Sequence, residues 1–273
     1  MINQALVSPL LASGLGLLAN YSWQNAYRYF ILVVLAFAFL IRLKRKVRSQ
    51  IVVRPLPNQV ELKQLSRELF FSIVMILICG SLAPVILILN FGRDLYFYKD
   101  IEEYGWTYLF VSIFLMMLVR DTLFYWEHRL MHARKLFKRA HYIHHQSLQT
   151  TPLSAFSVHP MEAIFAAALP YALILFLVPK HPLAYLIFIW IDAAVGVVTH
   201  MGYEMFPRGF SRHWLGRWIG TATAHQIHHR YPSCNYGLYF LFWDRWMDTL
   251  DKKYDYHFDI ATGMLSEKNA VIA

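Results

Sequence analysis

Eight histidines of this chain fall into three tight boxes: HRLMH, with His128 and His132; HYIHH, with His141, His144 and His145; and HQIHH, with His225, His228 and His229. Imidazole is a metal ligand, and eight exceed what one ion needs. On a helix, residues at i, i+3 and i+4 share a face, so the members of each box project together. Adjacent histidines such as His144 and His145 diverge by roughly 100° around the axis. A divergent pair can serve two neighbouring ions from one helix, and three converging helices can hold two.

Two further histidines lie at the same depth. His200, in THMGYE, closes the last apolar run and is expected to join the metal site. His159, in FSVHPMEA, precedes Pro160 at the start of another run and is a possible tenth ligand. Asp121, Tyr125, His128 and His132 form one helical stripe, so the Asp121 carboxylate is expected to accept the distal N–H of a ligating imidazole. Its alternative is pairing with the adjacent Arg120. His181, His213 and His257 are isolated and read as surface histidines. Cys79 lies in an apolar run and reads as a buried thiol. Cys234 follows the third box, and no CxxC supports a zinc ribbon or a redox dithiol.

The chemistry narrows by what is missing. No ExxH pair of the ferritin-like carboxylate sites occurs, and no HExxH supplies the base of a zinc protease. Imidazole suits iron, copper, zinc and nickel alike. A nitrogen-rich redox site facing lipid suits oxygen activation against an unreactive C–H bond. No catalytic residue beyond the metal centre is expected.

The elements that must position these residues are membrane helices. Of 273 residues 57% are apolar and 16% charged, against roughly 25% charged in soluble domains. Apolar runs occupy about 29–41, 69–91, 106–125, 163–179 and 183–199, and a straight span needs about 20 residues. The last two, parted by PKHP at 179–182, read as a helical hairpin, with kinks expected at Pro84 and Pro170. The sequence therefore predicts an all-α integral membrane protein with about four to five embedded helices and a histidine-rich cytoplasmic catalytic portion. Its expected organisation is amino-terminal anchoring helices over 1–105, a catalytic domain over 106–255 and a polar tail over 256–273. The first twenty residues carry no Lys or Arg and read as a surface-lying helix rather than a cleaved signal. YEMFPRGFSRHWLGRWIG (203–220) reads as an interfacial helix.

Charge sets the orientation. Counting passes puts the segments 42–67, 128–160 and the stretch after 200 on one side, and they hold 21 of the 26 Lys and Arg. By the positive-inside bias that side is cytoplasmic, and all three boxes lie on it. The net charge of +9 is then topology plus attraction to anionic headgroups, with no nucleic acid implied. A bacterial inner membrane is favoured, with the endoplasmic reticulum as the alternative.

Three blocks, RDTLFYWEHRLMH (120–132), HYIHHQSLQTTPLSAFSVHPME (141–162) and HQIHHRYPSCNYGLYFLFWDRWMDTL (225–250), resemble the fatty acid hydroxylase and sterol desaturase superfamily of membrane di-iron oxidases. The TTP, HP, NYG and WDR elements look like its sterol desaturase branch. The resemblance implies two iron ions held on the cytosolic face by His128, His132, His141, His144, His145, His225, His228 and His229, with His200 matching a further common ligand. It implies O2-dependent hydroxylation or desaturation of a sterol-like or fatty-acyl lipid, with electrons from a separate reductase or carrier protein. Glu204 stands where some fatty acyl hydroxylases of the family have a histidine, which argues against an acyl-ceramide hydroxylase. The competing class is a non-oxidative membrane transition-metal-binding or transport protein. A transporter should carry ionisable residues at mid-membrane, whereas these histidines sit at span ends.

Overall fold

The computed structural model describes residues 24, 26–42, 61–89 and 96–265. The expected surface helix over the first twenty residues, most of the basic stretch after the first run and the last eight residues lie outside them. The described chain is helical, with two isolated β-bridges and no strand among the described residues. Its helices are α1 (26–42), α2 (Leu62–Leu89), α3 (Gly105–Met131), α4 (134–145), α5 (Pro160–Leu177), α6 (Pro182–His200), α7 (Ala222–Arg230), α8 (Phe242–Trp246) and α9 (Tyr254–Ala261). Among the described residues α3, α5 and α6 are long and apolar enough to cross a membrane. The 28-residue α2 carries residues 69–89 of the apolar run and continues through Pro84.

The spans pack along narrow stripes. Tyr29, Val33, Ala36 and Leu40 of α1, at i, i+4, i+7 and i+11, meet Ile76 of α2 and Val197 of α6. Leu109, Ile113 and Met116 of α3 meet Ile174 of α5 and Phe188 of α6. The opposite faces leave Trp106, Phe110, Phe114, Phe165 and Leu186 exposed, as side chains in contact with lipid should be. Each backbone polar group in a span must be satisfied within its own helix or by a neighbour, and the starts of α5 and α6 show one device for this twice. His159 and His181 each precede a proline at the first helical position, and each ring Nδ1 accepts the N–H two residues on, at 3.1 Å from Met161 N and from Leu183 N. The proline lacks the N–H that would otherwise be orphaned.

The two ends of the bundle differ. At one end the chain before α3 meets the hairpin turn between α5 and α6, where Tyr98 N donates to Lys180 O (3.2 Å) and Lys180 N to Tyr96 O (2.8 Å). Lys180 Nζ donates to Leu175 O (2.8 Å) and Val178 O (2.9 Å), closing the carbonyl end of α5. The other end carries α4, α7, α8 and α9, where Ala224 and Ile227 of α7 pack on Leu241, Tyr254 and Phe258. Phe258 is fully buried, so Tyr254–Ala261 packs as a helix against this end of the bundle.

One expected element does not form. Residues 203–220 hold two single 3-10 turns, Phe210–Arg212 and Gly216–Trp218, instead of an interfacial helix. Gly209 takes φ +77°, and a Cβ at Gly216 would sit 2.2 Å from Phe210 O. The chain folds back on itself there, which a continuous helix cannot do.

Candidate metal centre

Four helices deliver histidines to one point. His128 and His132 come from the end of α3, His200 from the end of α6, and His225, His228 and His229 from α7. Within α4 a π-helical turn, Phe137–His141, precedes the helical turn Tyr142–His145. A second π turn, Ala163–Ala168, follows Glu162 in α5. Single π turns inside helices recur at functional sites because they re-aim side chains against the normal 3.6-residue period. Here they flank the approach of Glu162 Oε1 to His141 Nδ1, at 2.8 Å.

The nine histidines sort into two groups whose candidate ligand atoms lie within 4.8 Å of one another. One holds His128, His132, His141, His145 and His228; the other holds His144, His200, His225 and His229. Both HH pairs are divided between the groups, as divergence around a helix requires. The groups adjoin, with the His145 and His229 ring centroids 4.9 Å apart.

The hydrogen bonds fix which nitrogen faces the centre. The Nδ1 atoms of His128, His200 and His228 donate to the carbonyls of Tyr236 (2.9 Å), Gly196 (2.7 Å) and Cys234 (2.6 Å), and that of His144 approaches Ser157 O at 3.4 Å. A carbonyl only accepts, so Nδ1 carries the proton and Nε2 of a neutral ring keeps a bare lone pair. The bare atoms face each other: His128 and His141 Nε2 are 3.0 Å apart, and His144 and His200 Nε2 are 3.3 Å apart. Lone pairs so opposed repel unless a cation lies among them, and this donor set fits metal ions. Burial keeps the rings neutral. It holds His132 and His145 down to about 2 and His144 to about 4. His141, His225, His228 and His229 also lie well below the usual histidine range, with neighbouring imidazoles adding to the effect.

Asp121, expected to take an imidazole N–H, is used one step away. Its Oδ1 accepts the backbone N–H groups of Leu238 (3.2 Å), Tyr239 (2.6 Å) and Phe240 (3.2 Å). Asp244 holds the same loop from the other side, accepting Tyr236 N and Gly237 N at 2.8 Å each. Gly237 is required, because a Cβ would meet Phe240 O at 2.2 Å. The NYG and WDR elements thus aim the Tyr236 carbonyl at His128. Arg120 pairs with Asp192 rather than with Asp121. His159, the tenth candidate, stands outside both groups as the cap of α5.

Other supporting roles were not read from the sequence, where Glu204 stood out only for replacing a histidine. Glu162 lies in the HPME element, three residues after the histidine that drew attention, and faces the centre. Glu204 accepts Thr223 N (3.0 Å), Thr223 Oγ1 (2.7 Å) and Phe206 N (3.1 Å), and with the N-cap Thr221 it secures the start of α7. Glu204 also stands outside both groups. Gln226, inside the third box, accepts from Thr150 Oγ1 (2.8 Å) and donates to Leu148 O (3.0 Å), tying α7 to the loop after the second box. Glu68 of α2 holds the same loop through Ser147 (2.7 Å) and Thr151 (2.6 Å).

A cavity of about 590 Å³ opens from His128, His141, His144, His200 and His225 and runs between the helices to Pro182 and Tyr185 near the opposite end. Small side chains make the room, among them Ala166, Ala167, Ala168, Ala172 and Ala193, together with Gly196. The size is that of a small-molecule pocket, and the lining is mostly apolar.

The fatty acid hydroxylase family matches residues 113–249. The chain is 31% identical over 239 residues to Delta(7)-sterol 5(6)-desaturase ERG3B of Gibberella zeae, covering 88% of this chain and 67% of that protein. It is 30% identical over 184 residues to lathosterol oxidase of Mus musculus, covering 67% of this chain and 60% of that protein. It is 29% identical over 263 residues to Delta(7)-sterol 5(6)-desaturase erg3C of Aspergillus fumigatus, covering 89% of this chain and 75% of that protein. No solved structure matches the chain. The box histidines, the NYG loop and Asp244 all fall inside the matched stretch, and this chain belongs to the fatty acid hydroxylase family, on its sterol desaturase-like branch.

Proposed function

We propose that this chain is a membrane-bound, O2-dependent di-iron oxidase that desaturates a sterol-like lipid. The observation that carries the reading is the set of inward-facing bare imidazole nitrogens at the mouth of an apolar, span-length cavity. His128, His132, His141, His145 and His228 would hold one ion, and His144, His200, His225 and His229 the other. Bound there, iron would supply the O2 activation and C–H cleavage that no side chain in the cavity can perform. The protein's own part is positioning and exclusion. The Tyr236, Gly196 and Cys234 carbonyls lock ring orientation, Glu162 faces the outer nitrogen of His141, and the apolar walls keep water from the reacting carbon.

Desaturation removes two hydrogens and two electrons from the lipid. Reduction of O2 to two waters takes four electrons, so two more come from a separate electron donor. The sterol-like substrate is supported by the named activities of the relatives and by Glu204, which serves α7 instead of adding a tenth nitrogen. Those relatives come from fungi and mammals and lend no support to a bacterial inner membrane. The cytoplasmic face for the centre is supported by the basic segments that share its side.

The test is lipid mass spectrometry on cells expressing the active chain or His144→Ala, with iron measured on both proteins. A lipid two hydrogens lighter, seen only with the active chain and about two irons bound, is the expected result. A gain of one oxygen would make the enzyme a hydroxylase. Unchanged lipids with metal uptake into vesicles would make it a transporter.

A further inference from the structure

A second polar cluster lines the same cavity away from the histidines. Arg120 of α3 is 5% exposed, and its Nε lies 3.5 Å from Oδ1 of Asp192 on α6. The phenols of Tyr171 on α5 and of Tyr239 donate to the two oxygens of Asp192. The carboxylate is therefore well supplied with donors. The guanidinium is not: Arg120 Nη1 is buried and has no hydrogen-bond partner among the described residues. The rings of Phe124 and Tyr171, with centroids 5.1 and 5.6 Å from the guanidinium carbon, hold it by cation–π contact but occupy none of its N–H groups. The Phe124 ring in turn lies 4.8 Å from the His128 ring. The unused donor and the histidines thus belong to one chamber, with a single aromatic ring between them.

We infer that Arg120, oriented by Asp192 and the two phenols, anchors the oxygen of a neutral lipid, a hydroxyl or carbonyl, within this cavity. A buried N–H without a partner is an incomplete site, because such groups are almost always satisfied. The missing partner is an acceptor. A neutral oxygen suffices, because the Arg120 charge is already paired with Asp192 and the guanidinium lacks an acceptor rather than a counter-charge. Anchoring the oxygen one aromatic ring away from the histidines sets which C–H of the lipid reaches them. Arg120 is on this view a substrate-positioning residue. The occupant's identity as a lipid rests on the oxidase proposed above.

The experiment uses the full chain, loaded with iron in nanodiscs, and two matched probe pairs. These are a Δ7-sterol with its 3-deoxy analogue, and hexadecan-1-ol with hexadecane. Wild type is expected to bind the oxygen-bearing member of at least one pair about tenfold more tightly, as a site built around a hydrogen bond does. Arg120→Met should bring that ratio close to one while iron content stays unchanged. Arg120→Lys, which keeps the charge opposite Asp192 and so protects folding, should lower the ratio severalfold. Equal binding within both pairs by wild type overturns the inference whatever the variants do. So does a ratio that survives Arg120→Met, which has no side-chain N–H to offer and would leave Arg120 as a tie between α3 and α6. If the ratios behave as expected but no oxidised lipid forms, the oxidase reading fails and the anchor stands.

Discussion

In the five-histidine group the outward ring nitrogens meet the Tyr236 carbonyl, the Cys234 carbonyl and the carboxylate of Glu162. In the four-histidine group the corresponding partners are the backbone carbonyls of Ser157 and Gly196. A carboxylate behind an imidazole raises its basicity and its hold on a metal more than a carbonyl does. The exposure to the cavity runs the other way. Three of the four histidines in the smaller group line it, namely His144, His200 and His225, against His128 and His141 of the larger. On the di-iron proposal, the contrast would give the larger group tight retention and the smaller, with one nitrogen fewer, the work at the cavity mouth.

The sharpest way to break that contrast is to remove one histidine from each group. His144→Ala should abolish lipid oxidation, whereas His228→Ala, which leaves four nitrogens in its group, should keep about two irons per chain and lose activity only in part. His144→Ala should keep about one iron per chain, since five nitrogens remain for the other ion and a site needs about four. Elemental analysis of the purified variants reads the difference. Loss of both ions in His144→Ala would show that the groups bind as one unit and that the division is only geometric.

Glu162→Gln tests the cause of the difference rather than its existence. The amide keeps the volume but removes the carboxyl group facing His141. Loss of such a supporting partner typically costs about 10–100-fold in metal affinity or activity. The loss should fall on the five-histidine ion, so chelator titration should release one iron early and leave the other at its wild-type midpoint. An even shift of both would give Glu162 a part in holding both ions.

How much of this was legible in the chain follows from the range of each interaction. The division of HH pairs between two centres depends only on helical angle, and the boxes display it. The spans are legible for the same reason, since apolar length is local. The supports are not local. Asp121 and Leu238, Glu204 and Thr223, and Glu162 and His141 meet only after the helices have packed, and each is an ordinary acid in its own neighbourhood. Most outer partners of the histidines are backbone carbonyls, which no side-chain code records. His159 was ambiguous for a physical reason: a histidine before a proline makes a good helix cap, as it does here, and the same residue at the same depth would make a good ligand. The repeat of that pair at His181 and Pro182, at the opposite end of the bundle, is the signal that favoured the cap. The stretch 203–220 misled because aromatic and arginine content speaks to an interface, while Gly209 and Gly216 decide that the backbone turns.

The smallest expected effect comes from Gly196, which sits on the cavity side of the four-histidine group and supplies the carbonyl for His200. Glycine inside a helix costs about 1 kcal/mol relative to alanine, so its presence in α6 needs a reason. Crowding is not the reason, because a Cβ there would meet nothing within 4 Å. The space it leaves belongs to the cavity, one turn below His200. Gly196→Ala should therefore raise the thermal midpoint slightly, by the propensity gained, and leave iron content alone. It should slow lipid oxidation severalfold, because the added methyl stands where the substrate lies against the smaller group. A variant that is more stable and equally active would show that substrate does not approach from the four-histidine side. The carbon to be oxidised would then be presented to His128 and His141, and the roles of the two groups would be exchanged.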